Sequence, residues 1–170
     1  HSLEGIGKIK RLNEDWDESI EAHEKGIKIG KEITDKEVTT LNQVGLAEDY
    51  HAKGDYERSK EIAEDVFDEL KDINYPNISI RCNLILGKSY RGMNKLDEGE
   101  IYLKKAIDES RQISDVIWEA KSLFEMGLLK KKEDEEDESL KYLEESLDLF
   151  NKTEIKRWIE KVQKNIDEVS

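Results

Sequence analysis

Residues 85–92 read ILGKSYRG, and three counterparts of this stretch lie at multiples of 40 residues from it: GIGKIKRL at 5–12, GLAEDYHA at 45–52 and EMGLLKKK at 125–132. Each has a small residue at the same place, namely Gly7, Ala47, Gly87 and Gly127, with an apolar residue before it. Apolar residues further along keep the same interval, as Ile27, Phe67, Ile107 and Leu147 do. A fixed period of this length predicts a solenoid of stacked repeats.

Each 40-residue unit reads as two antiparallel helices, which we call A and B. Turn-forming residues separate A from B at Asn13 to Asp15, Gly54-Asp55, Gly92 to Asn94 and Glu133-Asp134. The B helices have the clearer apolar stripe, as at Leu96, Leu103, Ala106 and Ile107 in the third unit. A helix with one apolar face must bury that face against a neighbour, so we expect the units to stack closely.

The whole chain, 1–170, is predicted to be a single all-α domain. Its repeats are expected at about 1–34, 35–75, 76–114 and 115–152, followed by a capping helix over 153–169 in which Trp158 lies 40 residues beyond Trp118. Asp35, Pro76, and Ser114 or Asp115 are predicted to begin A helices. The chain starts at His1 and its first A helix lacks a turn, so we expect it to be a fragment of a longer protein.

Composition favours long exposed helices, because 41% of the residues are charged and the chain contains one Pro. Cys82 is the single cysteine and there is no secretory leader, which predicts a cytoplasmic protein. No apolar run approaches the length of a membrane span, so no membrane partner is expected. The net charge of -13 argues against nucleic acid as a partner.

The segments LGKSY at 86–90 and LAEDY at 46–50, the latter followed by Gly54-Asp55-Tyr56, resemble the tetratricopeptide repeat, whose first helix carries L-G-x-x-Y. The chain departs from that family in its period of 40 rather than 34 residues, in having Gln43 and Asn83 where the family has Trp, and in a weak A-x-x-x-F element. The resemblance implies a right-handed α-solenoid of four helix-turn-helix repeats plus a C-terminal capping helix. It also implies a non-enzymatic scaffold for protein interactions.

The small residue shared by the four units has a physical role at the crossing of helices A and B. A side chain no larger than a methyl group lets the two backbones approach closely. A larger residue there is expected to separate the helices, at a cost of about 1 to 3 kcal/mol.

In this family the A helices line a concave groove that holds the partner. The positions that match this inner face are Lys8, Arg11, Val44, Glu48, His51, Arg81, Leu84, Lys88, Arg91, Lys121, Phe124, Leu128 and Lys131. We expect the groove to be apolar along the row Val44, Leu84, Phe124 and basic at its edge. The four A-helix segments carry a formal charge of +6, which leaves -19 for the remainder of the chain.

These charges predict a protein or peptide partner that offers acidic residues flanking apolar anchors. The alternative interpretation is that Lys and Arg only solvate one helix face. The carboxylate clamp of chaperone-binding members, which needs Lys and Asn, is matched poorly by Glu4, Lys8, Gly45, Arg81 and Ile85.

Two other functions stay open at this point. The chain is alternatively a ligand- or peptide-sensing domain of a prokaryotic signalling or transcription regulator, because long-period repeats of this kind occur there. Self-association through the first helix or through the row Val44, Leu84, Phe124 is the third possibility.

No motif for catalysis, a cofactor or a metal is present, and none of the three is expected. His23 occupies a position where an apolar residue is expected, so we predict a hydrogen-bonded core histidine. His51 on the inner row is expected to be a plain exposed histidine, with pH-sensitive binding as the alternative.

Overall fold

The computed structural model describes residues 3–12, 15–70 and 75–169, without the side chains of Lys8, Arg11 and Leu12. Within these ranges the backbone forms nine α-helices and no strand. In chain order they are α1 (Leu3–Leu12), α2 (Trp16–Glu32), α3 (Lys36–Ala52), α4 (Tyr56–Leu70), α5 (Pro76–Gly92), α6 (Leu96–Gln112), α7 (Val116–Lys132), α8 (Glu136–Thr153) and α9 (Lys156–Val169). The predicted all-α solenoid of four helix pairs and a C-terminal capping helix is confirmed.

The helices pack in sequence order, each against the next, as a stacked repeat requires. The A helices also contact one another, α1 with α3, α3 with α5 and α5 with α7, whereas the B helices pack mainly on the A helices before and after them. Closer spacing on one side of a stack curves it toward that side. The A helices therefore lie on the inner, concave face.

The turns between helices repeat every 20 residues, which is half of the sequence period. Where the structure describes them, each turn contains one residue with a left-handed backbone: Thr34, Gly54, Asn94, Ser114, Asp134 and Glu154. A left-handed residue directly after a helix ends it and reverses the chain. The predicted breakers Gly54, Asn94 and Asp134 are confirmed, whereas Asn13 lies outside the described residues.

The predicted starts of the A helices are also confirmed. Oδ1 of Asp35 accepts a hydrogen bond from the backbone N–H of Val38 at 3.0 Å. At the start of α7 the capping residue is Asp115 rather than Ser114, because its Oδ1 accepts from the N–H groups of Ile117 and Trp118. Pro76 is the first residue of α5, where its missing N–H leaves no helix bond unmade.

Close approach of helices A and B is confirmed at the small residues. A methyl group added at Gly87 would lie 2.5 Å from Cγ of Leu103, and one added at Gly127 would lie 2.7 Å from Cγ of Leu143. Both distances are shorter than any van der Waals contact, so neither site has room for alanine without movement of its neighbour.

The weak A-x-x-x-F element has a structural explanation at this crossing. Ser59 donates a hydrogen bond to the carbonyl oxygen of Ala47 at 2.7 Å, and Ser139 donates one to that of Gly127 at 2.9 Å. The serine hydroxyl thus joins helix B to helix A where the helices are closest. A serine in place of the family's alanine adds a hydrogen bond without adding bulk.

His23 is a hydrogen-bonded core histidine, as predicted. Its Nδ1 lies 2.7 Å from Oδ2 of Asp49, and both side chains are buried. Ser19 lies 2.8 Å from the same carboxylate oxygen and donates to the carbonyl of Gly7. This Ser, His and Asp do not form a nucleophilic triad, because the hydroxyl contacts the carboxylate rather than the imidazole and is sealed from solvent.

The last helix, α9, packs against the fourth helix pair, α7 and α8. Trp158 of α9 stacks on Phe150 with ring centroids 5.1 Å apart and meets Phe124 edge-on at 5.6 Å. Val162 is fully buried in the same cluster. The predicted capping helix therefore covers part of the inner face as well as the end of the stack.

Candidate partner-binding groove

The concave face contains a cavity of about 450 Å³ between α3, α5, α7 and α9. Most of its lining residues lie on A helices or on α9, and several of them recur 40 residues apart, as Arg81, Lys121 and Lys161 do; Trp16 is the first residue of α2. All three tryptophans of the chain line it: Trp16, Trp118 and Trp158. Large aromatic faces around a concave site are typical of binding surfaces rather than of a solvated helix face.

The lining is basic although the protein is acidic. Among the described residues, five basic side chains line the cavity, and two carboxylates, Glu48 and Glu125, accompany them. The basic residues are Arg81, Lys88, Lys121, Arg157 and Lys161. The net charge of the whole chain is -13. The concave face therefore has the opposite sign of charge to the remainder of the protein.

Glu125 lies at the floor of this cavity as an almost completely buried carboxylate. Its Oε2 is 2.6 Å from Nη2 of Arg91. Burial raises the pKa of Glu125, but the charges of Lys88, Arg91 and Lys161 outweigh that effect and hold the pKa below its ordinary value. Glu125 is therefore an internal counterion that holds several cations together.

His51 is neutral in the groove. Burial, followed by the nearby charge of Lys88, lowers the pKa of His51 to about 3. Its ring lies 5.2 Å from that of Tyr56. The expectation of an exposed histidine is wrong, because the solenoid packs α4 and α5 around this position, and the shift leaves His51 uncharged at physiological pH.

Six of the residues expected on the inner face line the cavity: Glu48, His51, Arg81, Leu84, Lys88 and Lys121. Arg91 lies beside them through its ion pair with Glu125. Lys8 and Arg11 belong to α1, but their side chains lie outside the described residues.

Two of the three residues in the expected apolar row do not line the groove, and the third, Leu84, lines it but is only 7% exposed. Val44 is completely buried with residues of α4 and α5, and Phe124 is completely buried under α9. Leu128 packs in the same cluster as Phe124, and Lys131 pairs with Glu168 of α9 at 3.0 Å. The burial of Val44 and Phe124 corrects the sequence expectation, because core packing and the capping helix cover positions that repeat symmetry alone leaves open.

Several groove residues were not predicted from the sequence. Trp158 and Lys161 lie on α9, 40 residues after Trp118 and Lys121, so α9 has the inner-face positions of an A helix. This 40-residue interval is the sequence feature from which Trp158 and Lys161 could have been predicted as groove residues. Glu125 carried no signal, because Gly45 and Ile85 occupy its place in the two preceding units.

The described residues contain neither a metal-binding cluster nor a membrane-spanning helix. No group of three or more His, Cys, Asp or Glu side chains is arranged to hold a metal ion in residues 3–12, 15–70 and 75–169. In the same ranges, no helix is both long and apolar enough to cross a bilayer.

Three solved structures share this fold at low sequence identity. A Rap protein complexed with Competence and Sporulation Factor superposes with a TM-score of 0.90 at 12% identity, over 98% of this chain and 47% of the other. The apo form of RapI gives 0.78 at 14% identity, over 98% and 61%. BtubC (BKLC) from P. vanneervenii gives 0.73 at 12% identity, over 91% and 65%. The chain thus spans about half to two-thirds of the length of these proteins.

No curated protein matches the sequence. The family model described as tetratricopeptide repeat matches residues 80–113, which make up most of the third helix pair. This match contains LGKSY, the segment on which the resemblance rests, and the fold of the whole chain is that of the Rap structures. The third helix pair therefore matches the tetratricopeptide repeat, and the whole chain has a tetratricopeptide-like fold in units of 40 residues.

Proposed function

We propose that this chain is a non-enzymatic scaffold that binds a short acidic segment of a partner protein, or a free peptide, in its concave groove. The observation that carries the proposal is the positive, tryptophan-lined cavity on the inner face of a chain whose net charge is -13. Aromatic faces supply contact area at low entropic cost, and basic groups select acidic partners.

Val44 and Phe124 are buried, so they are not available to contact apolar anchor residues of a partner in the groove. The exposed apolar surface of the groove is provided mainly by Trp118 and Trp158, since Leu84 is only 7% exposed. Partner side chains that stack on indole rings are therefore preferred to long aliphatic ones.

The charge distribution also bears on the choice of partner class. A nucleic acid meets the acidic outer surface of the protein before it reaches the groove, and the phosphate backbone is repelled there. The proposed partner is accordingly a protein or peptide. A reducing, cytoplasmic setting is part of the proposal, since Cys82 is single and buried.

The test is selection of a random peptide library, displayed on phage, against the protein. Selected peptides are then titrated against the groove variant Lys121→Glu/Lys161→Glu and the control variant Lys105→Glu/Lys141→Glu. The control lysines lie near the rings of Tyr102 and Tyr142 on B helices. Each variant replaces two lysines with two glutamates, so both change the net charge equally. We expect binding to fall by about tenfold or more in the groove variant alone. Equal loss in both variants, or no enriched peptide, contradicts the proposal.

A second candidate is a sensor domain in which the ligand changes the curvature of the solenoid. It is favoured by the Rap structure, which has the same fold and is complexed with Competence and Sporulation Factor. Small-angle X-ray scattering with and without a selected peptide tests it. A change in radius of gyration supports the sensor, and an unchanged curve supports a rigid scaffold.

Self-association through α1 is also a proposal. Ile6 and Ile9 of this helix are exposed, whereas the row Val44, Leu84, Phe124 is buried and no longer supports pairing. Light scattering over a range of concentrations measures it, and a constant monomer mass argues against it.

A further inference from the structure

A line of alternating cations and tryptophans runs along the concave face. It consists of Arg81, Trp118, Lys121, Trp158 and Lys161, and we call it the cation ladder. Its three cations lie 40 residues apart in sequence, on α5, α7 and α9, and its two tryptophans are separated by the same interval. The ladder therefore follows the direction in which the repeats stack.

Each tryptophan lies beside the cation of its own helix and near the cation of the preceding one. The guanidinium of Arg81 is 5.8 Å from the ring centroid of Trp118, and Nζ of Lys121 is 3.8 Å from it. Nζ of Lys121 is 5.9 Å from the centroid of Trp158, and Nζ of Lys161 is 4.6 Å from it. All four distances are within the range of a cation–π contact.

These contacts position the cations without cancelling their charge. An indole ring attracts a cation through its quadrupole but carries no formal charge. Arg81 also lies 3.5 Å from a carboxylate oxygen of Glu48 and 3.9 Å from one of Glu4. The groove still attracts an added anion, because five basic side chains and two carboxylates line the cavity.

The cations of the ladder are crowded with other positive groups. Burial lowers the pKa of Lys161, Glu125 opposes that effect, and the charges of Lys88, Arg157 and Arg91 lower the pKa further. An anion placed among these groups relieves their mutual repulsion. The groove is thus best matched by a ligand with several negative charges.

The spacing of the cations defines the spacing of the ligand charges. Two cations that share one ring are separated by no more than the sum of their distances to it, roughly 10 Å, and packed helices are 8–10 Å apart. In a polyproline II segment, residues three apart lie on one side and about 9.3 Å from each other. In a β-strand, residues three apart lie on opposite faces.

The repeat distance of the ligand favours an extended segment over a helix. A polyproline II segment repeats every three residues, or about 9.3 Å, which is close to the 8–10 Å between packed helices. An α-helix repeats about every 5.4 Å, so its consecutive turns do not face consecutive cations.

We propose that the groove recognises an extended partner segment with acidic residues at every third position, i, i+3 and i+6, one opposite each cation of the ladder. This inference rests on the proposed function and specifies its ligand. The segment lies along the stacking direction, and its middle carboxylate, opposite Lys121, lies between the indole rings of Trp118 and Trp158.

The test compares two synthetic peptides of identical composition and end groups. In the first, three Glu residues occur at every third position with Pro and Ala between them, which favours polyproline II; in the second, the three Glu residues are adjacent. Dissociation constants are measured by tryptophan fluorescence at low salt, because every tryptophan of the chain lines the groove. We expect the spaced peptide to bind about tenfold more tightly.

Variants of the protein show whether the ladder causes the preference. Lys121→Gln removes the middle cation and is expected to bring the two dissociation constants within about twofold of each other. Lys105→Gln is the matched control, since Lys105 lies 5.0 Å from the ring of Tyr102 outside the groove. The control is expected to retain the full preference, and circular dichroism checks that each variant is folded.

The outcomes separate this inference from the proposed function. Equal binding of the two peptides, or an unchanged preference in Lys121→Gln, overturns the spacing rule, while peptides selected from the library still bind the groove. Failure of both test peptides while selected peptides bind through Lys121 also overturns it. If no selected peptide depends on the groove, the proposed function itself is wrong.

Discussion

Arg91 of α5 and Glu125 of α7 form a 2.6 Å ion pair beneath the groove, joining the third and fourth repeats. The carboxylate is almost completely buried and the guanidinium largely so. Breaking a buried ion pair costs more free energy of unfolding than breaking one at the surface. Removing Arg91 takes away the guanidinium that lies 2.6 Å from the buried carboxylate of Glu125 and leaves the charges of Lys88 and Lys161 to compensate it.

Arg91→Met is therefore expected to lower the free energy of unfolding by about 1.5–3 kcal/mol, the range for a hydrogen bond to a charged group, measured by urea denaturation at neutral pH. The matched control is Arg111→Met, because Arg111 makes two ion pairs of 2.6–2.7 Å but is 46% exposed. The control is expected to cost at most about 1 kcal/mol. Similar losses in the two variants would show that burial is not the cause.

His51 is expected to make stability depend on pH below neutrality. Its pKa is about 3 in the folded protein and near its usual 6.5 when unfolded, so the unfolded chain binds more protons between these values. The free energy of unfolding therefore falls as pH is lowered through this window, by at most about 1.4 kcal/mol per pH unit from this group.

Urea denaturation of wild type and His51→Gln between pH 7 and pH 4 measures the effect of His51. The difference between the two curves isolates this residue, because the carboxylates titrate in both proteins. A difference that does not change with pH contradicts the assigned burial of the imidazole.

The contact of Gly87 with Leu103 predicts a coupled pair of substitutions. Gly87→Ala is expected to cost about 1–3 kcal/mol by overpacking, and Leu103→Ala about 2–5 kcal/mol by leaving a cavity. The second unit already has alanine at both equivalent positions, Ala47 and Ala63. The double variant is therefore expected to be more stable than the sum of the two losses predicts, by at least about 0.5 kcal/mol. Strict additivity in urea denaturation would argue against the contact.

The left-handed turn residues provide a stabilising substitution. Thr34 has φ of 58°, which is unfavourable for a β-branched residue, whereas Gly54 occupies the equivalent position of the next turn with φ of 85°. We expect Thr34→Gly to raise the free energy of unfolding by about 1 kcal/mol. Gly54→Ala should lower it by a similar amount, although its Cβ meets open space. Thermal denaturation of both variants tests the backbone explanation, and a loss on Thr34→Gly refutes it.

The sign of the potential in the groove can be measured without any ligand. Since all three tryptophans line the groove, collisional quenching reports only on that surface. Iodide is expected to quench about twofold or more better than caesium at low ionic strength, despite the net charge of -13, and the ratio should fall in Lys121→Gln/Lys161→Gln. Better quenching by caesium would mean that the acidic outer surface dominates the groove.

Much of the architecture could be predicted from the sequence because it is local and repeated. Three features depend only on neighbours a few positions away or one unit away. They are the period of 40 residues, the small residue at each helix crossing, and the helix caps Asp35 and Asp115. Six inner-face residues followed from the same periodicity. Each repeat contacts mainly its neighbours, so a pattern found in one unit applies to the next.

The candidate site was predicted only in part, because it depends on how the end of the solenoid folds back. The packing of α9 against α7 and α8 has two effects on the groove. It places Trp158 and Lys161 in the lining, and it covers Phe124. Val44 is buried because it packs in one cluster with residues of α4 and of α5, which belongs to the next repeat.

The sequence alone determined that this protein is a helical solenoid with a basic inner strip, since periodicity and charge are properties of the chain. The tertiary structure alone decided which inner residues are exposed. It also decided that the charge of Glu125 lies close to those of Arg91 and Lys161, and that cations alternate with tryptophans along the groove. These features depend on distances between helices, and those distances are set by the summed packing of many side chains far apart in sequence.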